Sequence, residues 1–178
     1  SLSQKCTIIQ GPPGTGKTHV SVKILQLWSK SMGLKPLLAT SDSNVAVDNI
    51  AEGLHLAGVK VVRVGRPDKV RGHLEEITLE AMVERRKNEE VMDKDAVMDL
   101  DADDDDDDQE RGDKPMSMEQ ELSRNHNKNK KQRQEDFETR MKIMKEVEVV
   151  CATTIASGSD FFSRLSFQGI LVDEVAQA

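Results

Sequence analysis

The sequence predicts an α/β fold in which a parallel sheet carries helices on both faces and a polar, partly helical insertion interrupts the core. Three observations lead there. Short apolar runs rich in β-branched residues recur along the chain, helical patterns fill several of the gaps, and 61 nearly all-polar residues from Arg86 to Glu146 break the alternation. The expected core is therefore residues 1–85 with 147–178, and 86–146 is a charged insertion, helical at its ends and loose in the middle.

Cys6 to Gln10 reads as the first strand, and Val20, Ile24 and Leu27 then recur at helical spacing until Gly33 stops the helix. Pro36 to Thr40 reads as the second strand. Val47, Ile50, Leu54 and Ala57 form the stripe of a second helix that ends at Gly58 and covers the sheet. Val59 to Val64 is the third strand, a third helix starts near Thr78, and Phe137, Met141 and Met144 mark a fourth helix. The remaining strands are Val147 to Ala152 and Gly169 to Val172. Runs this apolar suit strands covered on both faces, as parallel sheets require.

A length of 178 residues fits one domain, or one domain with an insertion. Five aromatic residues exclude a large base-stacking platform. No apolar run approaches the roughly 18 residues of a membrane span, and no signal-like N-terminus is present, so the reading has no membrane partner and an intracellular location, nucleus or cytoplasm. Cys6 and Cys151 have neither metal-ligand spacing nor a disulfide framework, which favours a reducing compartment. A first residue of Ser and a motif at the C-terminal edge suggest a piece of a longer protein.

The net charge of −7 hides an asymmetry. Glu89 to Asp113 holds fourteen acidic and two basic residues, and everything else sums to +5. Six consecutive aspartates, Asp103 to Asp108, repel one another and are expected to form a disordered loop that serves as a solvated spacer. Arg124, Lys128, Lys130, Lys131 and Arg133 follow, and read as a solvated helix face with a phosphate-binding patch as the alternative.

Gly11-Pro12-Pro13-Gly14-Thr15-Gly16-Lys17-Thr18 fits G-x-x-x-x-G-K-S/T, placed after a strand run and opening a helix. Glycines let the backbone curl so that successive N–H groups face phosphate oxygens, aided by the helix N-terminal dipole. Lys17 adds a point charge against the β- and γ-phosphates, and the Thr18 hydroxyl is a natural Mg²⁺ ligand. Ile170-Leu171-Val172-Asp173-Glu174 is an apolar run ending in two carboxylates, the Walker B form. Asp173 would hold Mg²⁺, directly or through water, and Glu174 would accept the proton of the attacking water. The expected ligands are ATP and Mg²⁺, bound by Gly11 to Thr18 and Asp173 at the carboxyl edge of the sheet, with Lys17 and Glu174 as catalytic residues.

With these motifs in hand, the chain resembles the first RecA-like domain of superfamily 1B helicases, the group of the nonsense-mediated-decay helicase and senataxin. Ser43-Asn44-Val45-Ala46-Val47-Asp48-Asn49 resembles motif Ia of that family, Val61 to Gly65 the strand that follows, and Cys151-Ala152-Thr153-Thr154 the motif before Walker B. Asp173-Glu174-Val175-Ala176-Gln177-Ala178 resembles motif II. The resemblance implies a P-loop NTPase of RecA-like fold, single-stranded RNA or DNA contacts at Ser43, Asn44 and Thr153, and a nucleotide-coupling role for Gln177. It also implies a second RecA-like domain, missing from this chain, that supplies arginines to the γ-phosphate. Asp42 stands where the family often has Pro, and the acidic insertion is unlike the family's small helical subdomain. Without the strand that follows Walker B in related folds, two core strands are expected to face a gap, and the isolated chain to bind nucleotide weakly, turn over little and be marginally stable. Two alternatives stand: an AAA-type remodelling ATPase, which shares the glycine-rich loop, and a truncated non-catalytic product that acts through its acidic loop.

Overall fold

The computed structural model describes residues 6–98 and 118–174. Four parallel strands form one sheet: β1 (Leu37–Ser41), β2 (Val61–Arg63), β3 (Val149–Thr153) and β4 (Gly169–Val172), in the order β2-β3-β1-β4. Six α-helices accompany them: α1 (Lys17–Gln26), α2 (Asn44–Leu56), α3 (Leu79–Met98), α4 (Met118–Glu146), α5 (Thr154–Ser157) and α6 (Asp160–Ser163). Register places Ser41 beside Thr153 and Thr40 beside Val172, so the chain leaves β1, β3 and β4 at a common edge.

Alternate residues of the strands feed two cores. Leu37, Ala39, Val61, Val149 and Cys151 pack with Val22 and Leu25 of α1 and with Val47, Ile50 and Leu54 of α2. Leu38, Val62, Val150 and Ala152 face the other way, against Leu79 and Val83 of α3, Ile143 and Met144 of α4, and Phe162 of α6. Each fully buried aliphatic side chain contributes about 1.5–3 kcal/mol, so the double cover explains why β1 is buried at every position and why it opens on the apolar run Leu37-Leu38-Ala39. Gly53 lets α1 and α2 approach closely: a Cβ there would sit 2.9 Å from Val22 Cγ2.

The expected third helix begins where Thr78 accepts the Ala81 N–H on its hydroxyl oxygen and so caps α3. The rooted ends of α3 and α4 pack on the second core, and Phe137 of α4 stacks edge-on against Phe161, with ring centroids 5.9 Å apart. Asp103 to Asp108 and Gln177 lie outside the described residues, as do the side chains of Arg124 and Lys128. Lys130, Lys131 and Arg133 are exposed on α4. Among the described residues no helix is long and apolar enough to cross a membrane.

Two strand expectations need correction. Cys6 to Gln10 forms no strand; all five residues are exposed, with Ile8 at 83%. Strand formation needs a neighbour to take up alternate N–H and C=O groups, and no described strand offers this segment a ladder. Nor is β4 covered on both faces: among the described residues it pairs with β1 alone, Leu171 packs on the first core, and Ile170 and Val172 on the other face stay 57% and 41% exposed.

Candidate functional site

The glycine-rich segment Gly11 to Gly16 curls between the exposed N-terminal run and α1. Gly14 and Gly16 have φ of +77° and +81°, a left-handed conformation that costs an L-residue with a Cβ roughly 1–2 kcal/mol. Gly16 occupies the N-cap position of α1 without a capping side chain, leaving the first-turn amides without side-chain partners and a partial positive charge at the loop. Inside the curl, Lys17 Nζ donates to the carbonyls of Gly11 and Pro12, at 2.8 Å each. Thr15 Oγ1 also donates to the Pro12 carbonyl, at 2.8 Å. An ammonium carries three hydrogens, so one remains for an incoming oxygen.

The end of β4 lies against this loop. Thr18 Oγ1, on the first turn of α1, donates to Asp173 Oδ2 at 3.3 Å, joining residues 155 positions apart. Asp173 is 8% exposed and is held by its own backbone N–H, which continues the ladder to the Thr40 carbonyl at 2.8 Å. Glu174 has a φ of +53°, unusual for a residue with a Cβ and of the kind that concentrates at functional sites. Its N–H donates to Asp173 Oδ1 at 3.1 Å, and Ser41 Oγ donates to Glu174 Oε2 in a long contact of 3.5 Å. Two hard oxygen donors from α1 and β4 thus lie side by side next to the curled loop, which suits a divalent cation that takes its remaining ligands from phosphate and water.

The expected nucleic-acid residues gather at the same edge, with each side chain engaged inside the protein. Ser43 Oγ accepts the Ala46 N–H at 3.1 Å and caps α2, and Thr153 Oγ1 accepts the Ala156 N–H at 3.3 Å and caps α5. Asn44 Oδ1 accepts from Arg63 Nη2 at 2.9 Å. Asp42, the departure from the family pattern, accepts from Thr154 Oγ1 at 3.4 Å and so bridges the β1–α2 and β3–α5 turns.

Sequence reasoning gave Arg63 and Asp48 no role, yet they form a fully buried ion pair, Arg63 Nε to Asp48 Oδ1, at 2.8 Å. The available signal was a lone charge inside Val61-Val62-Arg63-Val64. Cys151, in register with Arg63, is pushed up to about 12 chiefly by burial, which keeps it a thiol. A cleft of about 600 Å³ at the roots of α3 and α4 is lined by Lys60, Val61, Met82 and Val147 among others. It lies at the amino ends of β2 and β3, opposite the phosphate loop and away from the carboxyl edge where sheets of this class bind ligands.

Fold and loop together define an α/β P-loop NTPase fold. A family model described as an AAA domain matches residues 1–178, and the chain belongs to that family. Along 99% of its length it is 31% identical to the regulator of nonsense transcripts 1 homolog of Neurospora crassa, of which it spans 14%. It is also 31% identical, again over 99% of its length, to the ATP-dependent helicase upf1 of Schizosaccharomyces pombe, spanning 18% of that protein. The DNA-binding protein SMUBP-2 of Mesocricetus auratus is 40% identical over 52% of the chain and 9% of its own length. The chain thus spans less than a fifth of each of these relatives.

Proposed function

We propose that these residues are the ATP-binding and hydrolysing core of a nucleic-acid helicase, acting within a longer protein on single-stranded RNA or DNA. The observation that carries the reading is the 3.3 Å approach of the Thr18 hydroxyl to the Asp173 carboxylate beside the curled loop. The amides of Gly14 to Thr18 receive the phosphates, and the free hydrogen of Lys17 goes to a β- or γ-oxygen. Thr18 and Asp173 are the residues that would hold Mg²⁺, which when bound there supplies positive charge against the phosphate oxygens. Glu174 takes the proton of the attacking water, and Ser41 orients its carboxylate. Gln177, four positions beyond Asp173, senses the nucleotide state.

The strand runs along the edge formed by Ser43, Asn44 and Thr153, where the N-terminus of α2 meets a phosphate and affinity is mostly independent of sequence. A second RecA-like domain outside these residues supplies the arginines that complete the γ-phosphate site, and the protein works in the nucleus or cytoplasm. A protein-remodelling ATPase would share the loop, but relatives matched over 99% of the chain include one named an ATP-dependent helicase, which favours nucleic acid. The test is steady-state ATP hydrolysis by the full-length parent, with and without a single strand of RNA or DNA. Turnover should rise on adding one or the other; turnover indifferent to both would overturn the helicase reading.

A further inference from the structure

Arg63 heads the fully buried side chains in size, at 0% exposure, and its guanidinium ties the end of β2 to the first two turns of α2. Nε donates to Asp48 Oδ1 on the second turn of α2, and Nη2 donates to Asn44 Oδ1 at the start of α2. Nη1 donates to the Val64 carbonyl, and Asp48 Oδ2 accepts the Arg71 N–H at 3.3 Å. Gly65 makes room for the fork, since a Cβ there would lie 2.9 Å from Nη1. The strand carrying Arg63 is itself fixed to β3: Arg63 pairs with Cys151, the Val64 N–H donates to the Cys151 carbonyl at 2.8 Å, and Thr153 follows two residues later.

Burying a charge pair is a costly way to fill space, and apolar residues of similar size often stabilise as well or better. A guanidinium is worth burying where its rigid, planar fork fixes several partners at once. Its side-chain partners Asn44 and Asp48 lie on α2, which Ser43 caps, and the strand that carries Arg63 is itself laddered to β3, which carries Thr153.

We propose that Arg63 is a positioning residue for the nucleic-acid edge: acting through Asn44 and Asp48, it holds the amino-terminal turn of α2 in register with the end of β3, so that both meet one strand backbone. This inference rests on the helicase reading above. Arg63 touches neither nucleotide nor strand. Its loss therefore acts on strand affinity, while the phosphate loop, built on α1 and β4, keeps its own bonds.

The experiment uses the full-length parent with ATP and a single-stranded oligonucleotide of the kind that stimulates it. Arg63→Met combined with Asp48→Asn removes both buried charges together and keeps an acceptor for the Arg71 N–H. That double variant should melt as a folded protein and hold its KM for ATP, while the oligonucleotide concentration for half-maximal stimulation rises about tenfold. Arg63→Lys, which can keep the pair with Asp48 but has no fork to reach Asn44, should fall between it and wild type. Gly65→Ala, which places a Cβ 2.9 Å from Nη1 and displaces the fork without touching the edge residues, should raise the same constant should the double variant prove too unstable to assay. A folded double variant, or Gly65→Ala, with wild-type half-saturation by the strand overturns the proposal. A rise in the KM for ATP matching the rise for the strand also overturns it, because the effect would then be a general loosening. A wild-type parent that ignores every single strand overturns the helicase reading first, and this inference with it.

Discussion

Lys17 and Glu174 show how much chemistry single residues carry here. Lys17 already closes the loop through the Gly11 and Pro12 carbonyls, so Lys17→Ala removes the brace and, on the proposed reading, the charge that meets the phosphates. Affinity of the parent for a fluorescent ATP analogue should fall by at least about tenfold, the scale of one lost charge-assisted hydrogen bond of about 1.5–3 kcal/mol. Glu174→Gln keeps the shape and loses the proposed base: ATP should still bind, while single-turnover hydrolysis slows by about 10²-fold or more. A glutamine variant with unchanged hydrolysis would remove Glu174 from the reaction. These positions were legible in the sequence because phosphate binding forces residue types at fixed spacing, two glycines with positive φ and a Lys-Thr pair at a helix start. Arg63 was not legible as a clamp. Its partners lie 15 and 19 positions away on α2; periodicity puts Asn44 and Asp48, four residues apart, on one helix face, but no local pattern says that a strand residue reaches that face.

The helices were readable from stripe and stop signals, and the caps at Ser43 and Thr78 fall where capping chemistry puts them. Ser43→Ala should cost about 1 kcal/mol in urea unfolding, since the Ala46 N–H loses its acceptor; no loss would mean that the cap contributes nothing and that Ser43 is kept for another purpose. Gly16→Ala places a Cβ on a backbone at φ +81° and should lower both stability, by about 1–2 kcal/mol, and nucleotide affinity. Strands were harder to read, and the reason is physical. Apolar β-branched sequence states a willingness to be buried, whereas pairing depends on which segment arrives alongside. Cys6 to Gln10 has the composition of a strand and no described neighbour, while the shorter Gly169–Val172 has β1 on one side and so forms a ladder. The roots of α3 and α4 reach Leu79 and Met144 in the second core, so the helical pair is anchored in packing that composition alone shows poorly.

Across the whole molecule, one carboxylate ties Lys30, on the π-helical turn Leu27–Ser31 that follows α1, to the start of the sheet. Burial pushes Glu148 up, but the Lys60 N–H and the Lys30 ammonium, at 2.7 and 2.9 Å, outweigh it and hold its carboxyl below the ordinary value of 4.5. A carboxyl depressed in the folded state stabilises fully above its unfolded value and loses that contribution as pH falls through the folded one. Wild type should therefore lose more urea stability than Glu148→Gln as pH drops below about 4.5; parallel losses would show that Glu148 does not link proton binding to folding. The same long-range logic governs the site, where Thr18, just after the glycine-rich loop, and an acid 155 positions later are joined by one hydrogen bond. The most direct measurement is equilibrium binding of a fluorescent ATP analogue to the full-length parent, with and without Mg²⁺, for wild type, Thr18→Ala and Asp173→Asn. If the loop and the acid grip one ligand, wild type binds more tightly with Mg²⁺ and both variants lose that increment while keeping metal-free binding. An Asp173→Asn protein that retains the full increment would contradict the account.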